Sequence, residues 1–377
     1  AGPGGRFRVI GRFRGALQAR RARLPSPRPD QRHRNREAGD DQNECRREAH
    51  GEEHGALPGQ ARGGGADAAD GQGRASRVHP GIRQALGFLQ LNAAMKIFPA
   101  HAEGDLWQAA PVPLQQSLAY GAVLARFGAA VERVEIAAPS GALARAQVIG
   151  RRIGPLRLWL MSRGPVWAGA PVAPVQDAAL CALGRRFRPL VATPERAGPG
   201  LPLVTPRHRA ILDLAAAPGV IRSRLAPKWR NRLSRAEDAG LELRLSRPDA
   251  AAVAWLLDAD AAQQRARGYR ALPARFTRAW IARDPRAALL AEAWRAGVRV
   301  AAMLFLLHPP WTTYHVGWSG PQGREANAHK LILWRAMLHL GDEGFSTLDL
   351  GDVDTENAPG LARFKIGTGA RVVPLGA

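Results

Sequence analysis

Only four lysines occur in a chain that otherwise draws its positive charge from arginine, and two of them, Lys330 and Lys365, fall within Gly323–Ala377. A lysine kept where arginine is the habit points to a need for a compact ammonium rather than a planar fork. Just upstream, Ser319-Gly320-Pro321-Gln322-Gly323 is a loop of small residues leading into a helix expected to start at Asn327. Small residues let backbone N–H groups approach an anion, and a helix N-terminus presents partial positive charge to it. Gly323, Arg324, Asn327, His329 and Lys330 are therefore the candidate phosphate cradle; the plainer reading makes Asn327 an N-cap and Lys330 a solvated helix residue. Asp349 sits at a strand end between Leu348 and Leu350, and Asp352, Asp354 and Glu356 are loop carboxylates able to orient an amine. Tyr314 and His315 alternate along one strand, so one of them faces the site; Tyr314 is either a proton donor to a leaving group or a buried aromatic. Lys228, Arg230 and Asn231 open a basic helix that would dock an anionic acceptor or simply face solvent. Gln116, Ser117 and Tyr120 would line a groove between two halves, or serve as cap and packing residues. Cys181 reads as a core residue, having no base beside it.

The elements that must position these residues follow an α/β pattern. Helices are expected over 113–127, 177–187, 221–239, 249–267, 273–282 and 327–342. Strands are expected over 131–136, 144–151, 154–161, 241–245, 287–294, 298–307 and 312–318, and again around Leu348. The Gly/Pro-rich stretch 196–206 reads as a boundary, and each half runs roughly helix, hairpin, strand, helix.

Read together, Lys228-Trp229-Arg230-Asn231-Arg232-Leu233-Ser234-Arg235-Ala236-Glu237, the hairpin with Gly297 and Ala301, Asn327 to Trp334, Asp349-Leu350-Gly351 and Phe364-Lys365 resemble the GNAT-type N-acyltransferases of the Fem/BioF2-like (FemAB-type) group. The resemblance covers Leu225 to Gly369 and extends more loosely, through Gln115-Gln116-Ser117, Tyr120-Gly121 and Arg163-Gly164-Pro165-Val166, to the first half. It implies two tandem GNAT-like units, mixed central sheets flanked by helices, at 95–205 and 206–377. It also implies amide formation by direct attack of an acceptor amine on a carrier-bound acyl group, with no metal. Lys365 then occupies the place of the Fem lysine near the acyl carrier, and Asp349 becomes a structural aspartate more readily than a base. The donor is an acyl-CoA or, alternatively, an aminoacyl-tRNA serving a cell-wall precursor. The loop departs from the R/Q-x-x-G-x-G/A pattern of typical GNAT enzymes, which bears on acetyl-CoA specifically. The absence of a heptad run leans toward a CoA thioester, held in a slot where strands splay beside 312–318.

Composition bounds these readings. A formal net charge of +22 invites nucleic acid as a partner, but the arginines are scattered without aromatic interleaving. The alternative of another class is a nucleic-acid-binding protein with a degenerate transferase core, reaching its ligand through the arm Arg6 to Arg36. Residues 1–94 lack Met, Trp, Tyr and Lys, and are expected to be a disordered Arg/Gly/Ala-rich extension preceding a start at Met95. Two distant cysteines without metal spacing fit a reduced, cytoplasmic chain. The longest apolar run, Val298 to Leu307, is about half of a membrane span and reads as a buried strand.

Overall fold

The computed structural model describes residues 80–100 and 112–376. Two mixed sheets organise them. The first contains β1 (Lys96–Pro99), β2 (Ala130–Ala138), β3 (Gly141–Ile153), β4 (Leu156–Ser162), β5 (Val166–Trp167) and β6 (Leu190–Thr193), in the order β1-β2-β3-β4-β6 with β5 pairing beside β3. Its helices are α1 (Pro80–Ala94), α2 (Leu118–Arg126) and α3 (Ala173–Arg186). The strands pair antiparallel except β4 and β6, which run parallel through α3.

The second sheet contains β7 (His208–Asp213), β8 (Glu242–Ser246), β9 (Ala288–Arg295), β10 (Val298–His308), β11 (Trp311–Ser319), β12 (Thr347–Val353) and β13 (Arg371–Pro374), in the order β13-β7-β12-β11-β10-β9-β8. Its helices are α4 (Pro218–Ser223), α5 (Pro227–Glu237), α6 (Ala254–Arg267), α7 (Ala274–Arg283), α8 (Pro321–Glu325), α9 (Ala328–Asp342) and α10 (Pro359–Ile366). β10 is a near-continuous apolar run because it is central and covered on both faces. Its Ala301, Met303, Phe305 and Leu307 pack under α5 and α9, while Ala302 and Leu304 pack under α6 and α7.

The sheets share a core. Leu114, Val123, Leu124 and Ile149 of the first half meet Phe276, Trp280, Ala287 and Leu306 of the second in one buried cluster. At about 1.5–3 kcal/mol for each large apolar side chain removed from water, this cluster alone is a substantial tie between the halves.

Several expectations are corrected in detail. Helix α1 occupies Pro80–Ala94, where disorder was expected; Phe88 and Leu91 pack on the core under β1–β3, and the Arg185 guanidinium bonds the side chain and carbonyl of Asn92. Apolar residues were counted too sparse there, yet a single stripe suffices once α3 offers a surface to cover. Residues 1–79, with the arginine arm and Cys45, lie outside the described residues. The helix expected over 113–127 is split at Ser117, and that over 221–239 is split before Pro227, whose ring suits a helix start and not an interior. Strands β6, β7 and β13 and helix α10 were not anticipated. Cys181 is half-buried on the flank of α3, outside the main core.

Candidate functional site

The site is organised by where two parallel strands part. β11 pairs with β10 from Trp311 to Ser319, but with β12 through only three residues, Trp311, Thr312 and Thr313 opposite Thr347, Leu348 and Asp349. Beyond that point the strands diverge, leaving one edge of β11 from Tyr314 to Ser319 without a strand neighbour. The bulge between Leu304 and Phe305 of β10 lies opposite His315 and changes which residues face which way. Tyr314 turns toward the α5/α9 side, against Phe305 with ring centroids 6.0 Å apart, while Val316 and Trp318 turn toward α6. His315 points away from Tyr314 and its Nε2 lies 2.7 Å from Thr277 Oγ1. Burial, with Tyr269 and Asp260 adding to it, holds the Tyr314 hydroxyl proton well above the usual phenol range.

The far wall of the opening is the end of β12. Asp349 is fully buried. It accepts hydrogen bonds from the Gly351 N–H at 2.8 Å and from the Arg209 guanidinium at 3.0–3.2 Å, and it pairs with Arg163 of the first half. Burial raises its affinity for a proton, but the two guanidiniums outweigh that and hold the carboxyl below its ordinary range. A carboxylate so committed is not a base, and of the two readings of Asp349 the geometry favours the structural one. Lys365 is 5% exposed, its Nζ donating to the Asp352 carbonyl at 2.7 Å beside Gly351. Burial pushes its ammonium down to about 8, with Arg209 assisting and Asp352 and Asp349 opposing.

Phe364 draws the rest of the constellation together. Its carbonyl accepts from Trp229 Nε1 at 3.1 Å, His329 packs on its ring, and Lys330 Nζ stands 5.8 Å from the ring centroid. Lys330 thus stands over the ring of the residue that precedes Lys365 in the chain. The phosphate cradle is narrower than expected. Gly323 is buried because a Cβ there would collide with the Val300 carbonyl oxygen, so it serves the packing of α8 on β10. His329 gives its Nε2 to the Trp318 carbonyl at 2.8 Å, and burial lowers its proton affinity, so it is a tether. Asn327 takes a left-handed φ of 54° and makes no side-chain cap. Arg324, which donates to the Ser319 carbonyl, and Lys330 remain as cationic groups at the start of α9.

Other candidates separate from this centre. Asp352 is paired with Arg209 at 2.7 Å and Arg207 at 3.4 Å, and Asp354 accepts the Glu356 and Asn357 N–H groups in its own turn, so neither is free to orient an amine. Lys228 and Asn231 are exposed on α5 and Arg230 is half-exposed, opposite the buried stripe Trp229, Leu233 and Ala236. Gln116 does not line a groove: its buried amide bonds the backbone of Gln147 and Ser162. Ser117 caps α2 through the Tyr120 N–H at 3.2 Å, and Tyr120 packs on Phe276. Sequence reasoning missed Arg163 and Arg209 as partners of Asp349; no local pattern marks an arginine that meets its partner 186 residues away. No group of His, Cys, Asp and Glu among the described residues could hold a metal ion.

Residues 223–365 match the family model described as an acetyltransferase (GNAT) domain. Among solved structures, FemX aligns with a TM-score of 0.57 at 14% identity, over 74% of this chain and 96% of that one. A tandem GNAT protein from the clavulanic acid biosynthesis pathway aligns at 0.40 with 14% identity over 74% and 97%, and L-PGS from Bacillus licheniformis at 0.38 with 11% identity over 65% and 82%. No curated protein matches the chain. Among the described residues no helix is long and apolar enough to cross a membrane. The FemX likeness shows the fold of the two sheets, and the family-model match, whose segment contains the parting strands and both lysines, supports an acyltransferase.

Proposed function

We propose that the protein is an N-acyltransferase in which an acceptor amine attacks a carrier-bound acyl group directly, with an acyl-CoA as donor. The observation that carries this reading is the parting of β11 from β12 after Thr313 and Asp349. An unpaired strand edge presents alternating N–H and C=O groups, and an extended chain bearing amides, such as a pantetheine arm, can pair with it as a strand would. Its phosphates would lie toward the start of α9, near Arg324 and Lys330. The thioester carbonyl would then sit between Tyr314 and the Lys365 side of β12.

The side chains supply matching chemistry. Attack of the amine nitrogen on the carbonyl carbon places negative charge on the carbonyl oxygen, which an ammonium held in a low-dielectric wall stabilises more in the transition state than in the ground state. Lys365 would fill that role. When the carbon–sulfur bond breaks, the thiolate needs a proton; Tyr314, whose hydroxyl makes no hydrogen bond among the described residues, can give one, and the proton that the attacking nitrogen sheds on becoming an amide restores the balance. Cys181 lies on α3 of the first half, which fits transfer without an acyl-enzyme.

Thermal unfolding with CoA and acetyl-CoA tests the donor, because a ligand bound only by the folded state raises its stability by mass action. A rise in Tm that Lys330→Ala diminishes is expected. No rise with any CoA thioester, and a rise with an aminoacyl-tRNA mimic instead, would replace this donor.

A further inference from the structure

Three carboxylates are buried among the described residues: Asp260, Glu292 and Asp349. Asp349 pairs with Arg163 and Arg209, and Glu292 pairs with Arg299. Asp260 has only uncharged partners, Gln264 Nε2 at 2.7 Å and the Tyr269 hydroxyl at 3.1 Å. A carboxylate taken out of water without a cation is costly, and two neutral donors offset only part of that cost. Such a group has an unmet preference for positive charge.

Its place in the fold says where that charge would come from. Leu256 and Leu257 form the buried stripe of α6 behind the buried Val253 at its N-cap, and Asp260 continues the stripe at helical spacing, where another apolar residue would be expected. The next turn of α6 is tied to β11 beyond the parting point, with Gln263 Nε2 donating to the Gly317 carbonyl at 3.3 Å. The Tyr314 hydroxyl lies over Gly317 on that same stretch. Tyr269 is 41% exposed while its hydroxyl reaches Asp260, so the carboxylate lies one side chain below the surface. The surrounding groups hold their protons or stay neutral: burial and then Asp260 push the Tyr269 hydroxyl up to about 12, and burial takes His315 down to about 4 against the opposing pull of Asp260.

We propose that Asp260, flanked by Gln264 and Tyr269, binds an ammonium group of the acceptor beside the open edge of β11, leaving a second, neutral amine of the same molecule to attack; this rests on the acyl transfer proposed above and names the acceptor as a compound that carries an ammonium besides its reacting amine. The acceptor arrives from the α6 side and the donor occupies the edge itself, so the two substrates meet near Tyr314.

Calorimetric titration of the full chain with cadaverine and with the uncharged pentanediol tests this. Cadaverine is expected to bind the wild type, and Asp260→Asn, which keeps an acceptor for Tyr269 but removes the charge, to weaken it by about tenfold or more. Tyr269→Phe leaves the charge in place and should change the affinity by less than about threefold. Equal cadaverine affinity in Asp260→Asn, equal binding of pentanediol and cadaverine by the wild type, or a loss in Tyr269→Phe as large as in Asp260→Asn would each overturn the proposal. CoA titrated in parallel separates the two readings: failure of CoA to bind, with cadaverine binding intact, removes the donor and leaves the amine site standing.

Discussion

Arg163 and Asp349, 186 residues apart in the chain, form a buried ion pair that joins the end of β4 in the first sheet to β12 in the second. Arg163 is 3% exposed, holds a left-handed φ of 57°, and also bonds Glu195 through Nε and Nη2. Asp349 has further partners in Arg209 and the Gly351 N–H, and that asymmetry ranks two substitutions. Asp349→Ala leaves Arg163 only Glu195 and Arg209 only Asp352 as carboxylate partners and should cost about 3–5 kcal/mol, whereas Arg163→Met leaves the carboxylate satisfied and should cost less, roughly 1–3 kcal/mol. Denaturant unfolding of both variants measures the order, and the reverse order would show that Arg209 does not carry the carboxylate.

Lys365→Met should lower turnover by about a hundredfold or more while changing stability at neutral pH by less than roughly 1.5 kcal/mol, since methionine keeps the buried stem and removes a desolvated charge. The folded protein binds the Lys365 proton with a value of about 8 against the ordinary 10.5, so the unfolded chain holds more protons between those values. Stability contributed by this group therefore rises with pH through that window, by up to about 1.4 kcal/mol per unit, and the rise should disappear in Lys365→Met. Tm measured from pH 7.5 to 10.5 tests the slope; these limits are roughly the titration window itself.

On the acid side, His308 and His315 are held neutral, their proton affinities lowered by burial to about 3 and about 4. Unfolding lets each take up a proton near the ordinary 6.5, so stability is lost as pH falls from that value toward 4. His315→Gln, which keeps a partner for Thr277, should flatten part of that loss. An unchanged acid limb in denaturation midpoints would exclude His315 as its source.

Tyr314→Phe is expected to reduce kcat by about ten- to a hundredfold with stability altered by less than roughly 1 kcal/mol, because the lost hydroxyl has no hydrogen-bond partner among the described residues. The deficit should shrink with donors whose leaving thiolate is less basic. A uniform deficit across leaving groups would remove Tyr314 from proton transfer.

Gly323→Ala separates packing from phosphate binding. Its Cβ would strike the Val300 carbonyl, a backbone atom that cannot swing away, so a cost of about 1–3 kcal/mol is expected. If the variant folds as stably as the wild type and loses only CoA affinity, the cradle reading of this glycine returns.

Much of the second sheet was legible from local pattern. The apolar run of β10, the Arg295-Ala296-Gly297 turn and the stripe of α9 follow from periodicity and turn chemistry, which act between near neighbours. The motif order from Lys228 to Lys365 likewise pointed to an acyltransferase that the GNAT match supports. β7 and β13 escaped because they are short and acquire strand character only by pairing with each other and with β12.

Local pattern is enough to give the class of element at each long periodic stretch, and composition alone singles out Lys330 and Lys365. What those groups are depends on how the chain folds. Folding buried Lys365 against the Asp352 carbonyl, turned Asp349 from a candidate base into a doubly paired anchor, made His329 and Gly323 packing residues, and left Asp260 without a cation. The reason is that charge state and reactivity depend on desolvation and on partners brought together by folding, neither of which is encoded in residue spacing.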